Sequence, residues 1–121
     1  MITNSMKQAA KSHYKQQMGA VITKGERILS SWYNELRYTS YIPTKREYPN
    51  ALHAEQAAII KLLKKNKLQD LIGSTIYVSR ILKSGKSGMA KPCNECMCLI
   101  KSVGIKKIVF TTDSGVESFK V

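Results

Sequence analysis

The chain has 121 residues, 43% of them apolar and 23% charged, which suffices for one buried core without disulfides and excludes a disordered chain. Lys and Arg number 20 against 8 Asp and Glu, a formal net charge of +12. Such a charge suits polyanions and phosphorylated small molecules, and equally a plainly solvated basic surface. No apolar run can span a bilayer, and Met1 to Ala10 lacks the core of a signal peptide, so the expectation is one soluble cytoplasmic domain over residues 1–121 with no membrane partner.

Met6, Ala9, Ala10 and His13 recur at the spacing of one helical face and predict a first helix from Asn4 to Lys15. Met18 to Thr23 and Arg27 to Trp32 read as a hairpin turning at Lys24-Gly25. Tyr33 to Asn50, with Tyr38, Tyr41 and Tyr48, Arg37, Lys45 and Arg46 and two prolines, has no period and reads as a long loop. Leu52 to Lys65 is Ala-, Ile- and Leu-rich around most of its circumference and predicts a helix buried on more than one side, with lysines at its C-terminal end.

Thr75 to Val78 reads as a strand, and the Gly-, Ser- and Lys-rich stretch from Arg80 to Lys91 as a mobile loop. Gly85-Lys86-Ser87 is no P-loop, because Arg80 stands where that motif needs glycine. Pro92 opens a third helix with Cys96, Leu99, Ile100 and Val103 facing the core and Gly104 as its stop. Ile105 to Thr112 is a strand. Val116 to Val121 is a last one, antiparallel to it because the Asp113-Ser114-Gly115 turn leaves no room for a crossover. Helices alternating with strands predict an α/β fold in three layers, α/β/α, with a mixed sheet of four to five strands covered on both faces.

Cys93, Cys96 and Cys98 are odd in number and crowded, a poor disulfide framework and a better metal or redox cluster. Alone, His53-Ala54-Glu55 arises often by chance, and Cys93-x-x-Cys96 fits a redox pair or half a zinc knuckle. Together, at the starts of two helices, they offer one imidazole and two thiolates, a set that suits a catalytic zinc with one open position. The helix N-termini favour the thiolate forms. A closed structural site needs a fourth ligand. Cys98, two residues beyond Cys96, points off that stripe and is expected to be a free, buried thiol; His13 is the weaker candidate. Glu55 reads either as a helix-start carboxylate or as a proton carrier beside a metal-bound water.

His53-Ala54-Glu55 followed by Pro92-Cys93-x-x-Cys96 resembles the zinc-dependent cytidine and deoxycytidylate deaminase superfamily. The resemblance implies a cytidine deaminase-like fold over nearly the whole chain. It implies zinc as cofactor, held by His53, Cys93 and Cys96, with Glu55 shuttling protons. Asn34 matches an asparagine that holds base or sugar, and the backbone at Ala54 and Pro92 would frame the base edge. The stretch 80–91 is longer than in relatives with His as first ligand, and the closing antiparallel strand is more like the free-cytidine branch and some polynucleotide-acting and toxin-type deaminases. Short relatives of this shape occur in phages, which implies the host cytoplasm, and members are commonly homo-oligomers. The implied reaction is hydrolytic deamination of a free cytosine nucleotide or nucleoside, of dCMP or cytidine type, to uracil and ammonia. Arg37, Lys45, Arg46 and Lys91 are the candidate phosphate contacts. Two alternatives remain open: a deaminase of cytosine or adenine in single-stranded DNA or RNA, and a non-catalytic zinc module that binds nucleic acid.

Overall fold

Helix α1 (Ile2–Ala9) opens the computed structural model, which describes residues 1–12, 17–36, 51–65 and 67–121. It starts and stops earlier than the apolar spacing predicted. It buries Ser5 and Ala9, while Ala10 is exposed; His13 lies outside the described residues. Small side chains face the sheet because the backbones nearly touch. A β-carbon at Gly19, in strand β1 (Gln17–Lys24), would overlap the Ser5 carbonyl and the Ala9 amide. The Ser5 and Ser79 hydroxyls meet in the same buried layer. Gly19→Ala is therefore expected to push α1 off the sheet and to destabilise the fold by about 1–3 kcal/mol, read as a lower denaturation midpoint.

Strand β1 forms the predicted hairpin with β2 (Arg27–Tyr33). It buries every residue from Gly19 to Thr23, as a central strand covered on both faces must. The expected long loop is more structured at its ends than its composition suggested. Glu35–Leu36 (β3) pairs antiparallel with Ala51–Leu52 (β4), so Leu52 belongs to a short ladder and not to the second helix. Arg37, Tyr38, Tyr41, Lys45, Arg46 and Tyr48 lie outside the described residues. Helix α2 (Ala54–Lys64) buries Ala54 through Ile60 without a break, and Leu62, which bears out its burial on more than one side.

A short 3-10 turn (Leu68–Leu71) leads to β5 (Thr75–Ile81). The expected mobile loop at 80–91 folds instead as a hairpin. Ser87–Gly88 (β6) pairs antiparallel with Ile81 and Arg80. The physical reason lies in its hydrogen bonds. Leu82 N–H donates to Lys86 O at 2.8 Å, Ser87 Oγ to Thr112 O at 2.9 Å, and Ala90 N–H to Thr111 O at 2.9 Å. Thr111 Oγ1 accepts from Arg80 N at 3.1 Å and donates to Gly88 O at 2.8 Å. The Gly, Ser and Lys residues supply a tight turn, and the end of the next strand holds it down.

Helix α3 (Asn94–Ser102) ends at Gly104, whose φ of 89° is the left-handed conformation that glycine adopts freely. β7 (Lys107–Thr111) then runs parallel to β5, and β8 (Val116–Lys120) returns antiparallel to β7, as expected. The sheet order is β2-β1-β5-β7-β8, with β6 on the far end of β5. Among the described residues the sheet thus has six strands where four to five were expected; the sixth is the two-residue β6. Ala20, Ile22, Ile76, Val78, Ile108 and Phe110 meet Ala58, Ile59, Leu62 and Ile100 in one core under α2 and α3, while α1 covers the other face. This is the expected three-layer α/β/α arrangement. Among the described residues, no helix is long and apolar enough to cross a membrane.

Candidate metal centre and active-site cleft

Two helix N-termini meet at one point. His53 caps α2 and Cys93 caps α3, both with extended backbone (φ/ψ of −69°/153° and −71°/171°). The Gln56 side chain accepts from the His53 N–H at 3.0 Å, and the His53 and Cys93 carbonyls accept from Ala57 N–H at 2.9 Å and Met97 N–H at 2.8 Å. These bonds fix both capping residues against their first turns. Cys96, one turn into α3, is fully buried, and Cys93 is exposed. His53 Nδ1 lies 3.2 Å from Cys96 Sγ and 3.6 Å from Cys93 Sγ, and the three donor atoms fall within 4.8 Å of one another. A zinc tetrahedron with ordinary bond lengths needs N···S edges of about 3.6 Å and an S···S edge of about 3.8 Å, so the donor set and its spacing fit that ion.

Electrostatics at the centre favour one thiolate. The Cys96 thiol, hydrogen-bonded to Cys93, holds the Cys93 thiol down at about 5, helped by the charge of His53 and by α3 backbone donors. The same bond and burial push the Cys96 thiol well above the ordinary range. Glu55, in the first turn of α2, is 2% exposed, and its Oε1 is buried with no hydrogen-bond partner among the described residues. Burial raises its pKa above the usual carboxylate value. A buried carboxylate oxygen without a partner is costly unless it serves a group that arrives.

The region described as the cytidine and deoxycytidylate deaminase zinc-binding region matches residues 1–112. The chain belongs to this deaminase family. It is 27% identical over 118 residues to the deoxycytidylate deaminase of Mycobacterium phage D29, covering 83% of this chain and 81% of that one. It is 32% identical over 109 residues to the human deoxycytidylate deaminase, covering 80% of this chain but about half (53%) of the human protein. Among solved structures it resembles the dCMP deaminase of cyanophage S-TIM5 (TM-score 0.68, 24% identity, 92% of this chain and 79% of that one). It also resembles the Mycobacterium leprae cytidine deaminase (TM-score 0.60, 20% identity, 98% and 89%). Both likenesses concern the fold.

In this deaminase-family chain the centre opens onto a cleft of about 210 Å³ lined by Met18, Asn34, His53, Glu55, Met89, Lys91 and Cys93. Of the expected substrate contacts, Asn34 and Lys91 line it. Asn34 is buried, and its Oδ1 accepts from Met18 N–H at 3.0 Å. Lys91 is exposed, with its ammonium 5.9 Å from the Phe119 ring centroid. Ala54 and Pro92 are buried, each next in sequence to a donor of the cluster, His53 and Cys93. Arg37 is outside the described residues, as are Lys45, Arg46 and His13. Cys98 is exposed, against the expectation of a buried thiol, because α3 turns that position away from the core. Met18, Met89 and Gln56 escaped the sequence reading. Hairpin register would have found Met18, since Gly19 pairs with Tyr33 and so sets Met18 beside Asn34. A capping-box pattern ending in Gln56 would have found the third. Met89 carries no comparable signal.

Proposed function

We propose that this chain is a zinc-dependent deaminase of a free cytosine nucleotide, with dCMP as the type substrate. The observation that carries the reading is the buried Glu55 carboxylate, whose Oε1 has no partner among the described residues, beside three zinc-type donors within 4.8 Å of one another at a cleft. His53, Cys93 and Cys96 would hold the zinc, which supplies Lewis acidity and eases deprotonation of a water at neutral pH. Glu55 takes the first proton of the attacking water and delivers it to the ring nitrogen next to the reacting carbon; it then takes the second, from the new hydroxyl on that carbon, and gives it to the departing amine as the carbon–nitrogen bond breaks. Water and cytosine become uracil and ammonia. Asn34 orients the nucleotide through its amide, which the Met18 N–H holds in place by donating to Oδ1. The apolar flanks of Met18 and Met89 keep bulk water from the base.

Two relatives named deoxycytidylate deaminase support the nucleotide over the nucleoside. Lys91 then meets the phosphate at the cleft mouth. Lys91→Met is expected to raise KM for dCMP about tenfold, the worth of one charge-assisted hydrogen bond, and to leave cytidine kinetics unchanged. Equal effects on both substrates would remove Lys91 from phosphate recognition. The reading as a whole is tested by zinc-loaded turnover of dCMP, dCTP and cytidine, followed by ammonia release and loss of cytosine absorbance. Absence of turnover on all three overturns it.

A further inference from the structure

Asn34 stands at a joint in the chain. β2 ends at Tyr33, which pairs with Gly19, and β3 begins at Glu35 in the separate ladder with β4. One step past the Gly19–Tyr33 pair, the β1–β2 ladder changes character. Asn34 N–H still donates to Met18 O at 3.0 Å, as an antiparallel pair requires. The return bond is different. Met18 N–H donates to the side-chain Oδ1 of Asn34 at 3.0 Å, where a regular ladder uses the backbone carbonyl. The side chain thus completes the pair, and the Asn34 carbonyl turns out of the ladder. Ser12 receives it: its Oγ donates to Asn34 O at 2.8 Å. Both residues are buried, so this carbonyl depends on a protein donor.

Ser12 lies just past α1 and is itself held at both ends. Its N–H donates to Ala9 O at 3.0 Å, and its carbonyl accepts from Gln17 Nε2 at 2.9 Å. Its place is therefore set by the last turn of α1 and the first residue of β1. Two arrangements of Asn34 satisfy the Met18 N–H. In the observed one, Oδ1 takes that N–H, the carbonyl takes the Ser12 hydroxyl, and the amide is fixed beside the cleft that Met18 and Asn34 line together. In the other, the carbonyl takes the N–H as in any regular pair, and the side-chain amide loses this anchor. Only the first uses Ser12, so the Ser12 hydroxyl is what separates them.

We propose that Ser12 is a positioning residue for the substrate: by holding the Asn34 carbonyl away from Met18, it keeps the Asn34 amide set at the cleft. The proposal rests on the reading of Asn34 as a substrate contact, and its test separates the two. Ser12→Ala is expected to raise KM about tenfold, for dCMP and cytidine alike, with kcat within about twofold of the parent and zinc content unchanged. Because the freed carbonyl falls back on the Met18 N–H, Tm should drop by less than about 5 °C. Asn34→Ala should raise KM at least as far, and adding Ser12→Ala to it should change KM no further. A second readout needs no turnover. Nitrogen-15 relaxation of the Asn34 side-chain amide, identified by its absence from the spectrum of Asn34→Ala, should report a rigid group in the parent and a mobile one in Ser12→Ala. An amide as rigid in Ser12→Ala as in the parent overturns the proposal. A mobile amide with the parent's KM, or Asn34→Ala with the parent's KM, removes Asn34 as a substrate contact and Ser12's role with it. Additive KM changes in the double variant assign Ser12 to the general stability of the fold and overturn the proposal as well.

Discussion

Glu55→Gln is expected to lower dCMP turnover by roughly 10²- to 10⁴-fold while zinc stays bound at full occupancy. The two side chains have nearly the same shape, so the cleft and its metal donors should survive the exchange. What is lost is a group that can hold a proton and release it. Burial already raises the Glu55 pKa, which brings a carboxylate closer to the range where it both accepts and donates near neutral pH. The same burial makes the charged form expensive in the resting protein. Glu55→Gln should therefore be no less stable than the parent, and a higher melting temperature is the expected direction. Turnover within about tenfold of the parent, with zinc bound, would remove Glu55 from the proton path.

The strand and helix order was legible because each element carries its own period. β1 and β2 alternate or run apolar between turn residues, and α2 is apolar around its circumference because it is buried around its circumference. The antiparallel return of β8 followed from chain length alone. The failures have a common cause. The α1 face was read from the spacing of Met6, Ala9, Ala10 and His13; Ala9 does lie on the buried face, but it shares the contact with Ser5 against Gly19, where closeness rather than apolarity decides. The hairpin at 80–91 was read from flexible composition. Its order comes from Thr111, Thr112 and their carbonyls, about twenty to thirty residues away, which no local window contains.

The candidate metal donors were legible for a chemical reason: imidazole and thiolate pairs at helix starts are rare outside metal and redox sites, and two such starts coincide here. The walls of the cleft were less so. Methionines such as Met18 and Met89 look like ordinary core filler in sequence, and only the fold shows that they flank the site. Cys98 shows the converse: the helical offset from Cys96 was read correctly, but its exposure depends on what α3 packs against.

Cys96→Ser should have the largest effect on stability. On the proposed assignment, Cys96 is the fully buried ligand, and its thiol must lose a proton that the Cys93 hydrogen bond and burial hold tightly. A serine hydroxyl cannot take that place as an anion, so zinc should be lost from the variant. Zinc bound at about a thousandfold above its Kd stabilises the folded chain by about 4 kcal/mol, and its loss should lower Tm by roughly 10–20 °C. The decisive comparison is with the parent stripped by a chelator. If the deficit comes from the metal, the stripped parent and Cys96→Ser should melt together, and readded zinc should rescue only the parent. A variant that melts far below the stripped parent would assign the deficit to packing. Cys98→Ser separates an open from a closed centre: exposed and outside the donor cluster, Cys98 should be replaceable with no change in zinc content or Tm. Loss of zinc on that exchange would mean that four protein ligands close the centre, and a closed centre leaves no position for a water that Glu55 could deprotonate.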